Sequence, residues 1–181
     1  MDLREKKTIR SITNAFLQLR SKKPLERITV RELAELAEIS KATFYLHYKD
    51  IYDLSDTLEK EVIQNVLNSI PHPEWMLTDS GQFVRDLFTA FHAQQSMIDI
   101  LFSGSRSSVL PLSIEKELKQ YIFRMYPDLR ENAQANILLT YQIQGGYYAY
   151  KENRDSFGED YVVAVISDVT QNYYESPAPQ P

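Results

Sequence analysis

The stretch Ile28–Asp50, ITVRELAELAEISKATFYLHYKD, constrains the fold of this chain more than any other segment. Two short helical patterns flank a break at Glu38-Ile39-Ser40. Thr29 opens a T-x-x-E box with Glu32, in which the hydroxyl accepts from a backbone N–H and the glutamate reaches back. Val30, Leu33, Ala34 and Ala37 then form the inward stripe of the first pattern. Ser40 is the expected N-cap of the second, which runs from Lys41 to about Tyr48 around Phe44 as its core anchor. A second helix that buries one large anchor and leaves small and polar groups outward reads as a helix-turn-helix.

The flanking segments continue in helical period. Ile9, Ile12, Phe16 and Leu19 mark one face of a helix over residues 4–21, ended by Lys22-Lys23-Pro24 because proline disfavours helix in the residue before it. Asp50 caps a fourth, longer helix, whose stripe of Ile51, Leu54, Leu58, Val62, Val66 and Ile70 runs until Pro71-His72-Pro73. Beyond that break the pattern predicts a helix at about 79–102, with Phe83, Leu87, Phe91 and Ile98 on one face. The Ser-Gly-Ser-Arg-Ser-Ser segment, 103–108, reads as a loop or hinge. Further helices are expected at about 112–126, 129–153 and 159–174, the first two separated at Pro127-Asp128, with Asn153 and Gly158 marking the last turn. The tail SPAPQP, 176–181, is proline-rich and expected to be disordered. The fold class is therefore all-α. An N-terminal three-helix helix-turn-helix domain, residues 1–50, joins through the long fourth helix to a helical C-terminal dimerisation and ligand-binding domain, residues 51–175.

Charge is distributed unevenly. The net charge of −5 conceals a basic N-terminal region, with 11 Lys/Arg against 7 Asp/Glu in residues 1–50, and an acidic remainder, with 9 against 18. A basic module on an acidic body is the distribution expected when one end meets DNA. Within that module residues 1–27 carry 8 basic and 3 acidic groups, whereas residues 28–50 carry 3 and 4. Phosphate attraction is then expected chiefly from the arm and first helix. The absence of cysteine excludes disulfides and thiol chemistry. No run reaches the ~18–20 apolar residues of a membrane span, and MDLREKKTIR lacks the apolar core of a signal peptide. The expectation is a cytoplasmic protein without a membrane partner.

The outward residues of the second short helix can be read chemically. Lys41 can donate to guanine O6 or N7; Thr43 offers a hydroxyl to a base edge and a methyl to thymine; Ala42 permits close approach, and Leu46 is also left outward. Tyr45, His47 and Lys49 are expected at phosphates, as is Thr29 from the start of the preceding helix, with helix N-terminal N–H groups adding donors. Tyr48 is open to two readings, a phosphate contact or packing between helices.

The run from Ile28 to Asp50, followed by Ile51-Tyr52-Asp53-Leu54, resembles the DNA-binding domain of the tetracycline-repressor (TetR) family of transcriptional regulators. Phe44-Tyr45-Leu46-His47-Tyr48-Lys49 is similar to that family's motif of a tyrosine, then x-His-aromatic, closing the recognition helix. The resemblance covers about residues 5–58. It implies DNA-contact roles for Thr29, Ser40, Lys41, Ala42, Thr43, Tyr45, His47 and Lys49. It also implies a homodimer, a double-stranded palindromic operator, and a small-molecule effector that spreads the two DNA-binding heads, in a protein that is more often a repressor. An acidic second helix, with Glu32, Glu35 and Glu38, departs from the pattern. A minority of such proteins act as coactivators that bind another regulator instead of DNA, and this is the alternative reading.

In the acidic body, Gln142, Gly145, Gly146 and Ala149 place small or amide side chains along one strip. Mid-helix glycine costs ~1 kcal/mol against alanine, so the pair requires a reason: close approach of another helix, or a kink beside a cavity. The last helix, with Val162, Val163, Val165, Ile166 and Val169, is more apolar than one buried face needs. Gln142, Gly145, Gly146, Ala149, Val162, Ile166 and Val169 are the candidates for a C2 interface; the alternative is monomer core. Aromatic residues are dense here, and Phe83, Phe91, Tyr121 and Tyr148 are the candidates for lining an effector cavity. Arg85, Arg106 and Arg124 are candidates for pairing an anionic effector. The effector's identity is unknown from sequence. No cofactor, metal site or catalytic residue is expected, because His47, His72 and His92 show no ligand spacing and no Gly-rich phosphate loop occurs. The chain is not expected to be an enzyme.

Overall fold

The computed structural model describes residues 3–175, with ten α-helices, three short 3-10 turns and no strand among the described residues. Two compact units emerge. One comprises the chain up to Val62 together with Ser96–Leu110; the other comprises Ile63–Gln95 and the chain from Pro111 onward. Helix α4, Ile51–Asn68, runs without a break through the division at Val62.

The first unit begins with α1, Leu3–Arg20, which buries Ile12, Phe16 and Leu19, the stripe anticipated from their spacing. After a 3-10 turn at Leu25–Arg27 come α2, Val30–Leu36, and α3, Lys41–Tyr45. α2 packs on both α1 and α3. Thr29 caps α2 as expected, accepting from the Glu32 N–H at 3.2 Å. The reciprocal half of the box does not form. The Glu32 carboxylate meets the Lys23 ammonium instead. α4 starts at a carboxylate pair: Asp50 accepts from the Asp53 N–H at 2.8 Å, and Asp53 accepts from the Lys49 N–H at 2.9 Å. Its stripe, Ile51, Leu54, Leu58, Val62, Val66 and Ile70, is buried throughout.

The helix expected at 79–102 is two helices, α6 at Ser80–Ala93 and α7 at Gln95–Leu101, preceded by a short α5 at Trp75–Thr78. The break falls at Gln94, whose N–H donates to Phe91 O. The chain passes there from one compact unit to the other, and no glycine or proline stands near Gln94 to mark the break in the sequence. The expected hinge at 103–108 is an ordered 3-10 turn, Gly104–Ser108. It belongs to the first unit and is bonded into it. The guanidinium of Arg20, 4% exposed, donates to Leu101 O at 3.1 Å and to Ser103 Oγ at 2.8 Å. Burial lowers the pKa of that guanidinium; four acceptors meet its two terminal nitrogens, while the buried Nε has no hydrogen-bond partner.

The second unit holds α8, Leu110–Met125, of which Leu110 itself falls to the first unit, then a 3-10 turn at Pro127–Leu129, α9, Ala133–Phe157, and α10, Glu159–Glu175. α10 packs against both α6 and α9. The α6 contact is close at Gly81, where an added Cβ would stand 3.2 Å from both Gln171 Cβ and Ser167 O. α9 ends at Gly158, whose φ of +87° lies in the left-handed region. Residues 176–181, expected to be disordered, lie outside the described residues. No described helix is long and apolar enough to cross a membrane.

Candidate nucleic-acid interface

The turn between α2 and α3 is built by backbone hydrogen bonds. Ile39 N–H donates to Ala34 O at 3.0 Å and Glu38 N–H to Glu35 O at 3.3 Å, the two bonds of a Schellman C-cap. Glu38 occupies the left-handed position with φ +56°, where glycine is usual. Ser40 restarts the chain as a helix. Its Oγ accepts from the Thr43 N–H at 3.0 Å and lies 2.8 Å from Thr43 Oγ1. Both hydroxyls therefore have a local partner before any ligand arrives.

α3 is shorter than its pattern suggested, stopping at Tyr45 instead of near Tyr48. His47 and Tyr48 both direct their N–H groups to Phe44 O at 3.0 Å, which closes the last turn. That closure brings the Tyr48 ring to 5.8 Å from the fully buried Phe44 ring. Tyr48 is 8% exposed and its phenol pKa is raised by burial. Of its two readings the packing one describes the structure. Tyr45 instead meets Phe44 edge-on at 5.5 Å and keeps more than half of its surface in solvent.

The remaining candidates fall into place around this anchor. Lys41, Ala42 and Lys49 are exposed, Thr29 and Ser40 are exposed at the two helix starts, and Thr43 and His47 are half-buried. Neither Lys41 nor Lys49 has a carboxylate partner among the described residues. The acidic groups of α2 are largely compensated: Glu32 by Lys23, and Glu35 by Arg31 at 2.9 Å, an i,i+4 pair that raises the Arg31 pKa. Exposed pairs of this kind add little stability, but they remove two negative charges from the neighbourhood of a polyanion. Leu46, 82% exposed beside Tyr45, completes the outward surface.

A short capped helix, anchored by one buried aromatic and presenting unpaired cations with small polar side chains, is suited to a major groove. This defines a DNA-binding transcriptional regulator of the helix-turn-helix class. Residues 12–57, about a quarter of the chain, match the family model of bacterial regulatory proteins, tetR family. No curated protein and no solved structure matches the chain.

In the second unit, the candidates for pairing and ligand binding separate. Val162 is buried at 6% exposure, and Ile166 Cγ2 lies 3.6 Å from where a Gly146 Cβ would stand, so Ile166 serves the packing of α10 on α9. Gly145 faces open space, and Ala149 and Val169 are exposed. Gln142 is half-buried. α9 runs unbroken through both glycines. The large apolar groups left in solvent are Ile137, Tyr141, Tyr148 and Phe157 on α9, and Tyr161, Val165, Val169 and Tyr173 on α10. Phe83 is buried and Phe91 half-buried in α6, while Tyr148 stands on the open side of α9. Tyr121 alone of the four cavity candidates lines the cleft of about 510 Å³ between α8 and the end of α4. Sequence reading missed Arg130, which lines the same cleft after the Pro127–Leu129 turn.

Proposed function

We propose that this regulator is a homodimeric repressor that binds a palindromic operator and is controlled by a small-molecule effector. The observation that carries the DNA reading is the exposure of Lys41 and Lys49, without ion-pair partners among the described residues, on either side of the buried Phe44. Lys41, Ala42 and Thr43 would read base edges; Thr29, Ser40, Tyr45, His47 and Lys49 would hold phosphates and fix register. Two recognition helices would occupy successive major grooves about 34 Å apart.

Support for pairing comes from α9 and α10. α9 is 25 residues long yet buries only Leu139. Ile137, Tyr141, Gly145 and Tyr148 recur at helical spacing on its open side, and Tyr161, Val165 and Val169 do the same on α10. Exposed apolar rows on two helices that pack on each other fit a self-complementary four-helix interface. Selection of bound duplexes from a random pool, by the full chain and by Tyr45→Ala, tests the DNA reading. A palindrome recovered by the parent alone supports it. Failure of both at low salt would leave the coactivator reading standing. Sedimentation velocity on the parent tests the dimer.

A further inference from the structure

We infer that the cleft between the end of α4 and α8 binds a small organic oxyanion bearing hydroxyl donors, a carboxylate or a phosphate ester. This rests on the effector reading and gives that effector a chemical class. The cleft, about 510 Å³, has the size of a small-molecule site. Its lining is unlike that of most such sites. Leu67 and Tyr121 are its chief apolar members, and the rest are amides and charges. A ligand matched to these walls is itself polar.

Two cations face this cleft against one carboxylate. Arg124 and Arg130 have no carboxylate partner among the described residues. Each is held by an aromatic face instead: the Arg124 guanidinium lies 5.5 Å from the Tyr121 ring centroid, and that of Arg130 lies 6.0 Å from that of Phe123. Stacking restrains a guanidinium while leaving its N–H fork unspent, and that fork matches the two oxygens of a carboxylate or phosphate. The carboxylate is Glu117, 5% exposed, which accepts from Gln64 Nε2 at 2.9 Å. It would repel a bare anion, so the ligand must answer it with a donor. A hydroxylated anion meets both demands. Its oxyanion takes the arginine pair, and its hydroxyls donate to Glu117 and to the carbonyl oxygens of Asn68 and Gln120.

The test uses the full chain with citrate, glycerol 3-phosphate and inorganic phosphate as anionic probes and glycerol as the neutral one. Calorimetry and thermal unfolding are read on the parent, on Arg124→Gln/Arg130→Gln, and on Asn68→Trp, which narrows the cleft without touching either arginine. Citrate or glycerol 3-phosphate should bind saturably and raise the unfolding midpoint by about 5 °C near saturation. The double variant and Asn68→Trp should each weaken binding at least tenfold, glycerol should not bind, and inorganic phosphate should bind more weakly than its glycerol ester. Citrate and the ester separate the carboxylate from the phosphate source. Equal affinity in parent and double variant overturns the inference, as does the lack of saturable binding by every anion at millimolar concentration. Operator affinity, measured in parallel, distinguishes the two layers. A compound that releases DNA equally from parent and double variant overturns this cleft assignment and keeps the effector reading. Saturable binding without any change in operator affinity keeps the cleft site and ends the effector reading.

Discussion

Arg106 closes a two-pronged ion pair on Glu59, its Nε 2.8 Å from one carboxylate oxygen and a terminal nitrogen on the other. Glu59 is 3% exposed on α4 and also accepts from Ser55 Oγ at 2.7 Å. The pair ties the 3-10 turn at Gly104–Ser108 to the helix that follows the recognition motif, and it raises the Arg106 pKa. Removing Arg106 leaves a buried carboxylate without its charge partner, which costs about 3–5 kcal/mol. Arg106→Ala should therefore lower the urea midpoint sharply, and Arg106→Met with Glu59→Gln should recover a large part of the loss. A double variant no more stable than Arg106→Ala would show that the ion pair itself is not the source.

Glu38 offers a change of opposite sign. Its φ of +56° places a Cβ in the left-handed region, at a cost of roughly 1–2 kcal/mol relative to glycine. Glycine regains most of this but adds freedom to the unfolded chain. Glu38→Gly is expected to stabilise the protein by about 0.5–1 kcal/mol, read as a higher midpoint with an unchanged denaturant slope. Glu38→Ala, which keeps a Cβ, should give no such gain.

Lys41 and Lys49 lie eight residues apart and should fail differently. If Lys49 sits on a phosphate, Lys49→Ala weakens binding to all sequences alike and reduces the salt slope by about 1. If Lys41 reads a base, Lys41→Ala loses about 1–3 kcal/mol at its cognate position and relaxes preference there. Binding isotherms at several salt concentrations, on the selected operator and on single-base variants, separate the two. Identical behaviour of the two variants would undo the assignment of roles.

The helix-turn-helix was legible because its determinants are local. Caps at Thr29, Ser40 and Asp50 and the anchor Phe44 act within four residues, and the α4 stripe repeats every third or fourth position. What sequence could not give depends on distance along the chain. Arg106 and Glu59 are 47 residues apart, and nothing near Ser103–Ser108 distinguishes a clamped turn from a mobile one. Of the three arginines considered for an anion, Arg106 is spent on Glu59 and Arg85 donates to Gln82 at 3.0 Å. Arg124 lines the cleft between α8 and the end of α4. On α9 the glycine pair drew attention to a strip of which Gly145 and Ala149 are open, and burial leaves Ile137, Tyr141 and Tyr148 open as well. Composition marks the helix as unusual; its packing against α8 and α10 decides which side is spent.

Glu115 links α8 to α9 and sets an acid limit on stability. Burial opposes its ionisation, but Thr140, Lys119 and Gln144 all donate to the carboxylate and outweigh that effect, holding its pKa at about 2 against an ordinary 4.5. A depressed carboxylate pKa contributes stability that is complete above the unfolded-state value and lost as pH falls through the folded one. The contribution is about 2–3 kcal/mol, and it should vanish between pH ~4.5 and ~2. Glu115→Gln should flatten the acid limb of the stability profile in that window. A variant whose acid limb matches the parent's would remove Glu115 from this role.

Gly145 separates a bare helix surface from an interface. A Cβ added there meets nothing within 4 Å in the isolated chain. If α9 faced only water, Gly145→Ala would gain about 1 kcal/mol from helix propensity and leave assembly untouched. If a partner's helix crosses at this point, the same methyl group holds the two backbones apart. Because Tyr141 and Tyr148 flank Gly145 on the same open side, we expect the second outcome. The dimer dissociation constant measured by sedimentation should rise about tenfold in Gly145→Ala, a weakening of about 1.4 kcal/mol. Val169→Asp, which places a charge on the adjoining α10 surface, should yield a folded monomer with weakened operator binding. A stabilised Gly145→Ala protein with parental dimer affinity would move the interface away from this face of α9.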